Sequence, residues 1–179
     1  QILLTLQQEI NRRAPKGMPT VLSFGKIIAN GAVNVIPDNV HLEGTFRTMN
    51  ESWRKKAHGL IDQICNGIAT GMGGSVKLNI KNGYPVLNND EESTLLAKKY
   101  AIKLLGEKQI VDMKIRMTAE DFAWFSHSYP SVMYRLGVKP KESSDITPLH
   151  TDRFIADEKS IMTGITAMAW IATNFLLDT

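Results

Sequence analysis

Two polar residues, Asn34 and Arg47, have the chemistry to bind a carboxylate. A carboxylate accepts a bidentate pair of hydrogen bonds from an arginine and a further hydrogen bond from an asparagine amide. Arg47 ends a stretch, 40–47, in which apolar and polar residues alternate as on the two faces of a β-strand. Turn-forming residues at 37–39 precede it. The pattern predicts a loop carrying Asn34 beside a sheet whose polar face carries Arg47, although a loop-stabilising Asn and a solvated surface Arg explain the same residues.

His150 is the candidate metal ligand. It ends a polar loop between a predicted strand and the last predicted helix, a position from which side chains point into a site at the edge of a sheet. A neutral imidazole is a good zinc ligand, and a nearby carboxylate such as Asp152 could orient it. One ligand does not make a metal site, so a histidine held by hydrogen bonds within its loop is the alternative interpretation.

Adjacent carboxylates at Glu120 and Asp121 suggest acid–base chemistry. Consecutive residues of a helix point about 100° apart, so these two cannot easily act on one atom, and charge at the start of a helix explains both equally well. Cys65 falls on the apolar stripe of a predicted helix, so we expect it in the core. The other histidines show no metal-ligand spacing: His41, His58 and His127.

Motifs in four stretches, taken together, resemble a known enzyme family. The stretches are Gly-x-x-Asn-Val-Ile-Pro-Asp at 31–38, Gly-Thr-x-Arg at 44–47, Met-Thr-Ala-Glu-Asp-Phe at 117–122, and Pro-Leu-His at 148–150, followed by Phe154 and Asp157-Glu158. In this order they are similar to the zinc-dependent aminoacylase/carboxypeptidase family. They point in particular to its amidohydrolase branch, which contains hippurate hydrolase, N-acyl-amino-acid amidohydrolases and auxin-conjugate hydrolases. Any one of these stretches alone would be a weak signal.

The resemblance implies roles for four residues. Asn34 and Arg47 would hold the carboxylate of an N-acyl amino acid or peptide substrate, often across a dimer, so that the lid of one subunit serves the site of the other. His150 would be the last protein ligand of a centre of two divalent ions, zinc in the family, and Glu120 would line the pocket or support a ligand. The remaining ligands and the glutamate that activates water belong to an N-terminal half that this chain lacks. We therefore expect this chain alone to be inactive and to bind no catalytic metal.

Hydrophobic periodicity predicts the elements that position these residues. Helices are predicted over 1–13, 51–70, 91–105, from 119 onward, and over 157–177; strands are predicted over 21–28, 38–49, 75–84, 109–113 and 131–137. We expect Asn50 and Thr118 to be the N-caps of the second and fourth helices, and Gly106 to end the third. The apolar stripe of the last helix is Ile161, Ile165, Met168, Ala169, Ala172, Phe175 and Leu176. Gly25 marks a bulge or a close approach within the first strand. The first half reads α-β-β-α-β, and the second reads α-β-α-β-loop-α.

We therefore expect two domains that meet at a turn-rich linker over 85–90. Residues 1–86 are predicted to form an α+β ferredoxin-like lid domain that lacks its first strand, and the resemblance makes it the dimerisation domain. Residues 87–179 are predicted to form the C-terminal part of an α/β zinc-hydrolase catalytic domain. The resemblance also implies a homodimer that forms through the lid, where an exposed edge strand is available for pairing.

Composition excludes several other functions. A chain of 179 residues with 43% hydrophobic and 22% charged residues is typical of a soluble globular protein, and a net charge of +3 from scattered side chains does not favour nucleic acid. No apolar run approaches the ~20 residues that cross a bilayer, so we expect no membrane partner. The single cysteine excludes an internal disulfide and suits a reducing, cytoplasmic compartment. The chain opens at Gln1 inside an amphipathic pattern, so we expect the C-terminal portion of a longer protein.

Two other function classes fit parts of the pattern. A non-catalytic regulatory or dimerisation module could bind a small acid through Asn34 and Arg47, and would be stabilised by that acid without added metal. A ferredoxin-like RNA-binding domain would need exposed aromatic residues on its sheet. The strand over 40–49 offers only Phe46, on the apolar side, so this class is the weakest of the three.

Overall fold

The computed structural model describes residues 1–140 and 148–178. The chain forms two compact units. The first unit comprises Gln1–Val86 together with Ile115–Asp121, and the second comprises Leu87–Lys114 together with Phe122–Thr179. Most of the polar loop expected between residues 139 and 149 lies outside the described residues.

The first unit is built from two helices and a two-stranded antiparallel sheet. In chain order the elements are α1 (Ile2–Arg13), β1 (Thr20–Ile28), β2 (His41–Thr48) and α2 (Glu51–Gly71). Thr20 pairs with Thr48 at one end of the ladder, and Ile28 pairs with His41 at the other. The register shifts between Phe24 and Lys26, which confirms the bulge predicted at Gly25.

The core of this unit lies between the two helices and the apolar face of the sheet. Alternation along β2 leaves Leu42 and Phe46 less exposed than their neighbours, as the sequence predicted. The Asn50 side chain accepts a hydrogen bond of 2.7 Å from the backbone N–H of Trp53, which confirms Asn50 as the N-cap of α2. The buried side chains are Leu6, Ile10, Leu22, Trp53, Ala57, Ile61 and Cys65. Cys65 is therefore a core residue, as expected.

Gly44 lets the two strands approach closely. A Cβ atom at this position would lie 2.6 Å from the backbone oxygen of Ser23 and 2.9 Å from Cδ1 of Phe24, the residue that pairs with Gly44 across the ladder. Any larger residue would force the backbone of β1 to move, and the Phe24 ring with it. Because Phe24 packs against the core, the absence of a side chain at Gly44 is needed both for the pairing of the two strands and for the position of the Phe24 ring.

The second unit is organised by the packing of α5 on α3. Its helices are α3 (Glu91–Leu105), α4 (Ala123–Ser128) and α5 (Lys159–Leu177), with one turn of 3₁₀ helix at Glu107–Gln109. Tyr100 is almost fully buried; its hydroxyl donates to a carboxylate oxygen of Asp178, and its backbone carbonyl accepts a 3.1 Å hydrogen bond from Nε1 of Trp170. These two contacts fasten the C-terminal end of α5 to α3.

Three predicted strands do not form ladders. The described residues of 75–84, 109–113 and 131–137 contain no assigned strand, although Val76 and Leu78 do pack against the first core. An extended stretch becomes a strand only when a neighbour takes its backbone hydrogen bonds, and alternation in sequence does not supply that neighbour. At Met133 the side-chain amide of Asn89 takes this role, since it bonds both the N–H and the carbonyl at 2.9 Å.

The predictions for α4 and for the buried face of α5 were also wrong. The sequence placed a helix start at Ala119 with Thr118 as its cap, whereas α4 begins at Ala123 and Thr118 instead bonds Oε1 of Glu120 at 3.3 Å. On α5 the buried residues are Ser160 and Ala167, and of the predicted stripe Phe175 is half-buried against the Tyr100 ring. The large side chains of the predicted stripe are exposed at Ile161, Ile165, Met168 and Leu176.

α5 also revises the expectation that no apolar run approaches a membrane-spanning length. It has 19 residues with a mean hydropathy of 1.4, enough to cross a membrane by length and composition, and no other helix in residues 1–140 and 148–178 meets that test. Length and composition alone are weak grounds for a membrane span, because the core helix of a soluble protein passes the same test.

Candidate substrate-binding and metal-binding residues

Asn34 lies at the tip of a fixed turn in the first unit. The backbone N–H and carbonyl groups of Ala32 and Val35 bond each other in both directions at 3.0 Å, which closes the turn. Gly31 packs against this turn so closely that a Cβ there would lie 2.5 Å from the carbonyl oxygen of Val35. The turn presents Asn34 to solvent on a backbone that is hydrogen-bonded at its base.

Arg47 is exposed on the polar face of β2, as the alternation predicted. Its Nη1 donates a 2.7 Å hydrogen bond to the backbone carbonyl of Met117, in the Ile115–Asp121 segment of the same unit. Sequence reasoning missed this contact, since a backbone carbonyl leaves no signature in residue types. The guanidinium carries five N–H donors, so this bond leaves most of its donor capacity for another ligand.

Asn34 and Arg47 are attached at opposite ends of β2. The loop that carries Asn34 joins the paired residues Ile28 and His41, whereas Arg47 lies near the far end of the strand. At a rise of about 3.3 Å per residue, Arg47 is about 20 Å along the strand from His41. No hydrogen bond joins Asn34 to Arg47 in the described part of the chain. Their joint binding of one carboxylate stays a prediction.

The same face of the sheet carries a small charged cluster. The carboxylate of Glu43 accepts from Nζ of Lys26 at 2.9 Å and contacts Nε2 of His41 at 2.8 Å. The hydrogen bond from Lys26, followed by the one from His41, holds the pKa of Glu43 below its ordinary value. All three side chains are more than half exposed, so the cluster is a solvated surface feature of the sheet that also bears Arg47.

His150 is exposed in a turn of the second unit and has a left-handed backbone, with φ of 66°. No other non-glycine residue in residues 1–140 and 148–178 has positive φ. The hydroxyl of Thr151 donates to the carbonyl of Pro148 at 2.9 Å, which ties the turn together on either side of His150. The imidazole is therefore available to a metal rather than packed in the interior, and its backbone carries the strain that a left-handed conformation imposes on a side chain.

His150 fits the role of one metal ligand, but the described residues do not form a metal site around it. Within them, no group of three or more His, Cys, Asp or Glu side chains could hold an ion. Among the remaining candidates, Glu120 is half-buried and accepts from Thr118. Burial raises the pKa of the Cys65 thiol, and burial followed by the charge of Arg54 lowers the pKa of His58, whose ring also contacts Phe46 edge-on.

A family model and several known relatives both match this chain, and they agree on its family. The model of peptidase family M20/M25/M40 matches residues 12–174. A probable hydrolase of Synechocystis sp. is 31% identical over 176 residues, which cover 98% of this chain and 45% of the relative. An N-acetyldiaminopimelate deacetylase of Lactobacillus helveticus is 30% identical over 177 residues, which cover 97% of this chain and 44% of the relative. An IAA-amino acid hydrolase of Arabidopsis thaliana is 30% identical over 183 residues, which cover 98% of this chain and 39% of the relative.

Solved structures agree with these relatives. A putative aminohydrolase from methicillin-resistant Staphylococcus aureus superposes with a TM-score of 0.79 at 26% identity, over 98% of this chain and 45% of that one. A Bacillus subtilis protein described as a dinuclear metal binding peptidase of the M20 family superposes with a TM-score of 0.78 at 26% identity, covering 98% of this chain and 44% of that one. This chain thus spans less than half the length of the relatives that it matches.

Proposed function

Because this chain belongs to peptidase family M20/M25/M40, we propose that the intact protein is a metal-dependent amidohydrolase of N-acyl amino acids or related small amides and peptides. Two relatives support the substrate class, since one is named for deacetylating N-acetyldiaminopimelate and the other for hydrolysing IAA–amino acid conjugates. The products of both reactions contain a free amino acid, so a cation that binds a carboxylate suits this substrate class. The observation that carries the proposal is the exposed guanidinium of Arg47 on the polar face of β2.

Arg47 and Asn34 form the proposed clamp for the substrate carboxylate. An arginine holds a carboxylate through two parallel N–H donors, and an asparagine amide adds a third. Energy from binding this remote group positions the scissile amide for reaction. In a homodimer formed through the lid, residues 1–86, we propose that Asn34 and Arg47 of one protomer hold the substrate carboxylate at the site of its partner.

His150 is the proposed metal ligand of this chain. The intact enzyme would hold two divalent ions, zinc by family resemblance, and these supply Lewis acidity at the amide. The exposed imidazole of His150 can donate a ring nitrogen to one ion, while the remaining ligands and the catalytic base lie elsewhere in the intact protein. Glu120 is proposed to line the substrate pocket of the intact enzyme or to orient a ligand. In this proposal the chain alone neither binds the metal pair nor catalyses hydrolysis, and residues 87–179 are part of the catalytic domain.

A second candidate is a non-catalytic module that binds a small acid through Asn34 and Arg47. This candidate is consistent with the described residues, which contain the proposed clamp but no group of three or more metal-ligating side chains. It differs from the enzyme in two measurable respects: a carboxylate ligand would stabilise the module without metal, and no amide would be cleaved. A cytoplasmic location belongs to either proposal and is supported by the single, buried, unpaired Cys65.

The test uses the intact protein purified with its metal. We expect it to hydrolyse N-acetyl amino acids, to lose that activity to a chelator, and to regain it with zinc or another divalent ion. His150→Ala is expected to lower the metal content per protomer, while His127→Ala, on another exposed histidine of the same unit, leaves it unchanged. Hydrolysis that survives complete metal removal, or a His150→Ala protein with full metal content, contradicts the proposal.

A further inference from the structure

The Ile115–Asp121 segment, hereafter the strap, belongs with the first unit, although the residues before and after it belong to the second. The hydrogen bond of 2.7 Å from Nη1 of Arg47 to the carbonyl of Met117 joins the strap to β2 across 70 positions of sequence. Met117 is half-buried, whereas Thr118 and Ala119 beside it are exposed. The strap also carries Glu120, the proposed pocket residue.

The chemistry of Arg47 allows it to bind the strap and a carboxylate together. Its guanidinium is a rigid planar group with five N–H donors, and a carboxylate occupies only one edge of it. Residues 1–140 and 148–178 supply one acceptor to Arg47, the Met117 carbonyl. That acceptor holds one Nη1 donor in place, so it restricts the positions that the guanidinium can take before a ligand arrives. A side chain that is already ordered loses less entropy when it binds.

We propose that the Met117 carbonyl positions Arg47, and that a carboxylate bound at Arg47 and the docked strap stabilise one another. This inference rests on the proposed function, because it assumes that Arg47 receives the substrate carboxylate. Coupling between two binding events is reciprocal: if the docked strap strengthens carboxylate binding, the carboxylate must strengthen strap docking by the same factor. The strap thus links occupancy of the clamp to the position of Glu120.

Amide hydrogen exchange at residues 115–121 of the intact protein tests the first half of the proposal. We expect Arg47→Ala to raise exchange in the strap by about threefold to tenfold, the effect of losing one charge-assisted hydrogen bond at an exposed site. The matched control is Lys26→Ala, which removes an exposed cation and its bond to Glu43 from the same face of the sheet without touching the strap. Equal strap exchange in Arg47→Ala and wild type overturns the proposal.

Levulinate tests the coupling itself. It is N-acetylglycine with a CH₂ in place of the amide nitrogen, so it keeps the carboxylate and cannot be hydrolysed at that position. We expect saturating levulinate to slow strap exchange in the wild type, neutral levulinamide to leave it unchanged, and neither to act on Arg47→Ala. A merely structural bond between Arg47 and Met117 would not respond to the carboxylate, and faster exchange with levulinate would mean that ligand and strap compete; either result overturns the coupling.

The two proposals can fail separately. Hydrolysis of N-acetylglycine by the same wild-type protein reports on the proposed function and does not depend on the strap. If the enzyme is active and selective for carboxylates but levulinate leaves amide exchange in the strap unchanged, only the coupling is contradicted. A protein that binds levulinate and protects its strap, but cleaves no amide with any divalent ion, removes the proposed function and keeps the coupling.

Discussion

Arg47 donates a 2.7 Å hydrogen bond to the backbone carbonyl of Met117, and this contact places the Met-Thr-Ala-Glu-Asp segment beside the sheet of the first unit. Two of the motifs that indicate the family, Gly-Thr-x-Arg and Met-Thr-Ala-Glu-Asp-Phe, therefore touch each other in the folded chain. The contact brings together Arg47, the proposed substrate-binding cation, and a segment that carries Glu120, the proposed pocket carboxylate. The first prediction tests the proposed role of Arg47.

Arg47→Ala in the intact enzyme is expected to lower kcat/KM for N-acetyl amino acids by about ten- to a hundredfold, because one or two charge-assisted hydrogen bonds to the carboxylate are lost. For the matching N-acetyl amino acid amides, which lack the carboxylate, we expect a much smaller loss. Steady-state kinetics on both substrates measure the difference, and Lys26→Ala serves as the control for lost surface charge. Equal losses on the two substrates would remove the clamp.

Mixing two defective proteins tests whether the clamp spans a dimer. If the lid of one protomer serves the site of its partner, a heterodimer of Arg47→Ala with His150→Ala contains one site with both residues intact and one with neither. After random subunit exchange about half of the dimers are mixed, so we expect about a quarter of wild-type activity to return. Activity that stays at the level of the separate variants would show that both residues act within one protomer.

His150→Gly is expected to keep or raise stability while it removes the proposed ligand. The left-handed backbone at φ of 66° costs a histidine on the order of 1 kcal/mol and costs glycine nothing comparable. His150→Val should destabilise the protein, because a β-branched side chain is strongly disfavoured in that conformation. Urea unfolding with and without metal measures both effects. A large loss of stability in metal-free His150→Gly would contradict an exposed, strained histidine.

Gly44→Ala is expected to destabilise the first unit by about 1–3 kcal/mol, since its Cβ would lie 2.6 Å from the backbone oxygen of Ser23. Gly59→Ala is the matched control with the opposite sign. A Cβ at this exposed position of α2 meets nothing within 4 Å, so better helix propensity should stabilise the protein by about 0.5–1 kcal/mol. Thermal or urea denaturation of both variants checks the pair, and a neutral Gly44→Ala would contradict the close approach.

Tyr100→Phe is expected to reveal a pH-dependent contribution to stability. The hydrogen bond from Tyr100, aided by the charges of Lys99 and Lys103, lowers the pKa of Asp178 from its ordinary value of 3.8. A carboxyl whose pKa is lower in the folded state stabilises the protein above its unfolded pKa, and this contribution is lost as the pH falls through the folded pKa.

The urea midpoint of Tyr100→Phe should therefore lie below that of wild type at pH 7, and the difference should shrink as the pH is lowered below about 4. Tyr134→Phe, which alters a partly exposed tyrosine of the same unit, should show no such convergence. If the urea midpoints of Tyr100→Phe and wild type differ by the same amount from neutral to acid pH, the loss of stability comes from packing and not from the hydrogen bond to Asp178.

The sequence by itself determined the four long helices, α1, α2, α3 and α5, and the paired strands β1 and β2. Helical periodicity with Asn50 as the cap predicted the start of α2 at Glu51, and periodicity that ends at Gly106 predicted α3 at Glu91–Leu105. Alternation together with a turn predicted the β1–β2 hairpin, including its bulge at Gly25. These features depend on hydrogen bonds between near neighbours or on the local identity of a few residues, so a single sequence contains them. The motif order likewise indicated the family that the comparisons then showed.

Tertiary structure decided which side chains of α5 are buried, where α4 begins, and what Arg47 contacts. The buried residues of α5 are Ser160 and Ala167, and Phe175 packs edge-on against Tyr100 of α3, while Ile161, Ile165, Met168 and Leu176 are exposed. The alternating stretches at 75–84, 109–113 and 131–137 form no ladder, because a strand requires a hydrogen-bonding neighbour that alternation cannot specify. The bond from Arg47 to Met117 joins residues 70 positions apart through a backbone atom that every residue possesses. Contacts of this kind follow from the path of the folded chain, and residue types alone do not encode them.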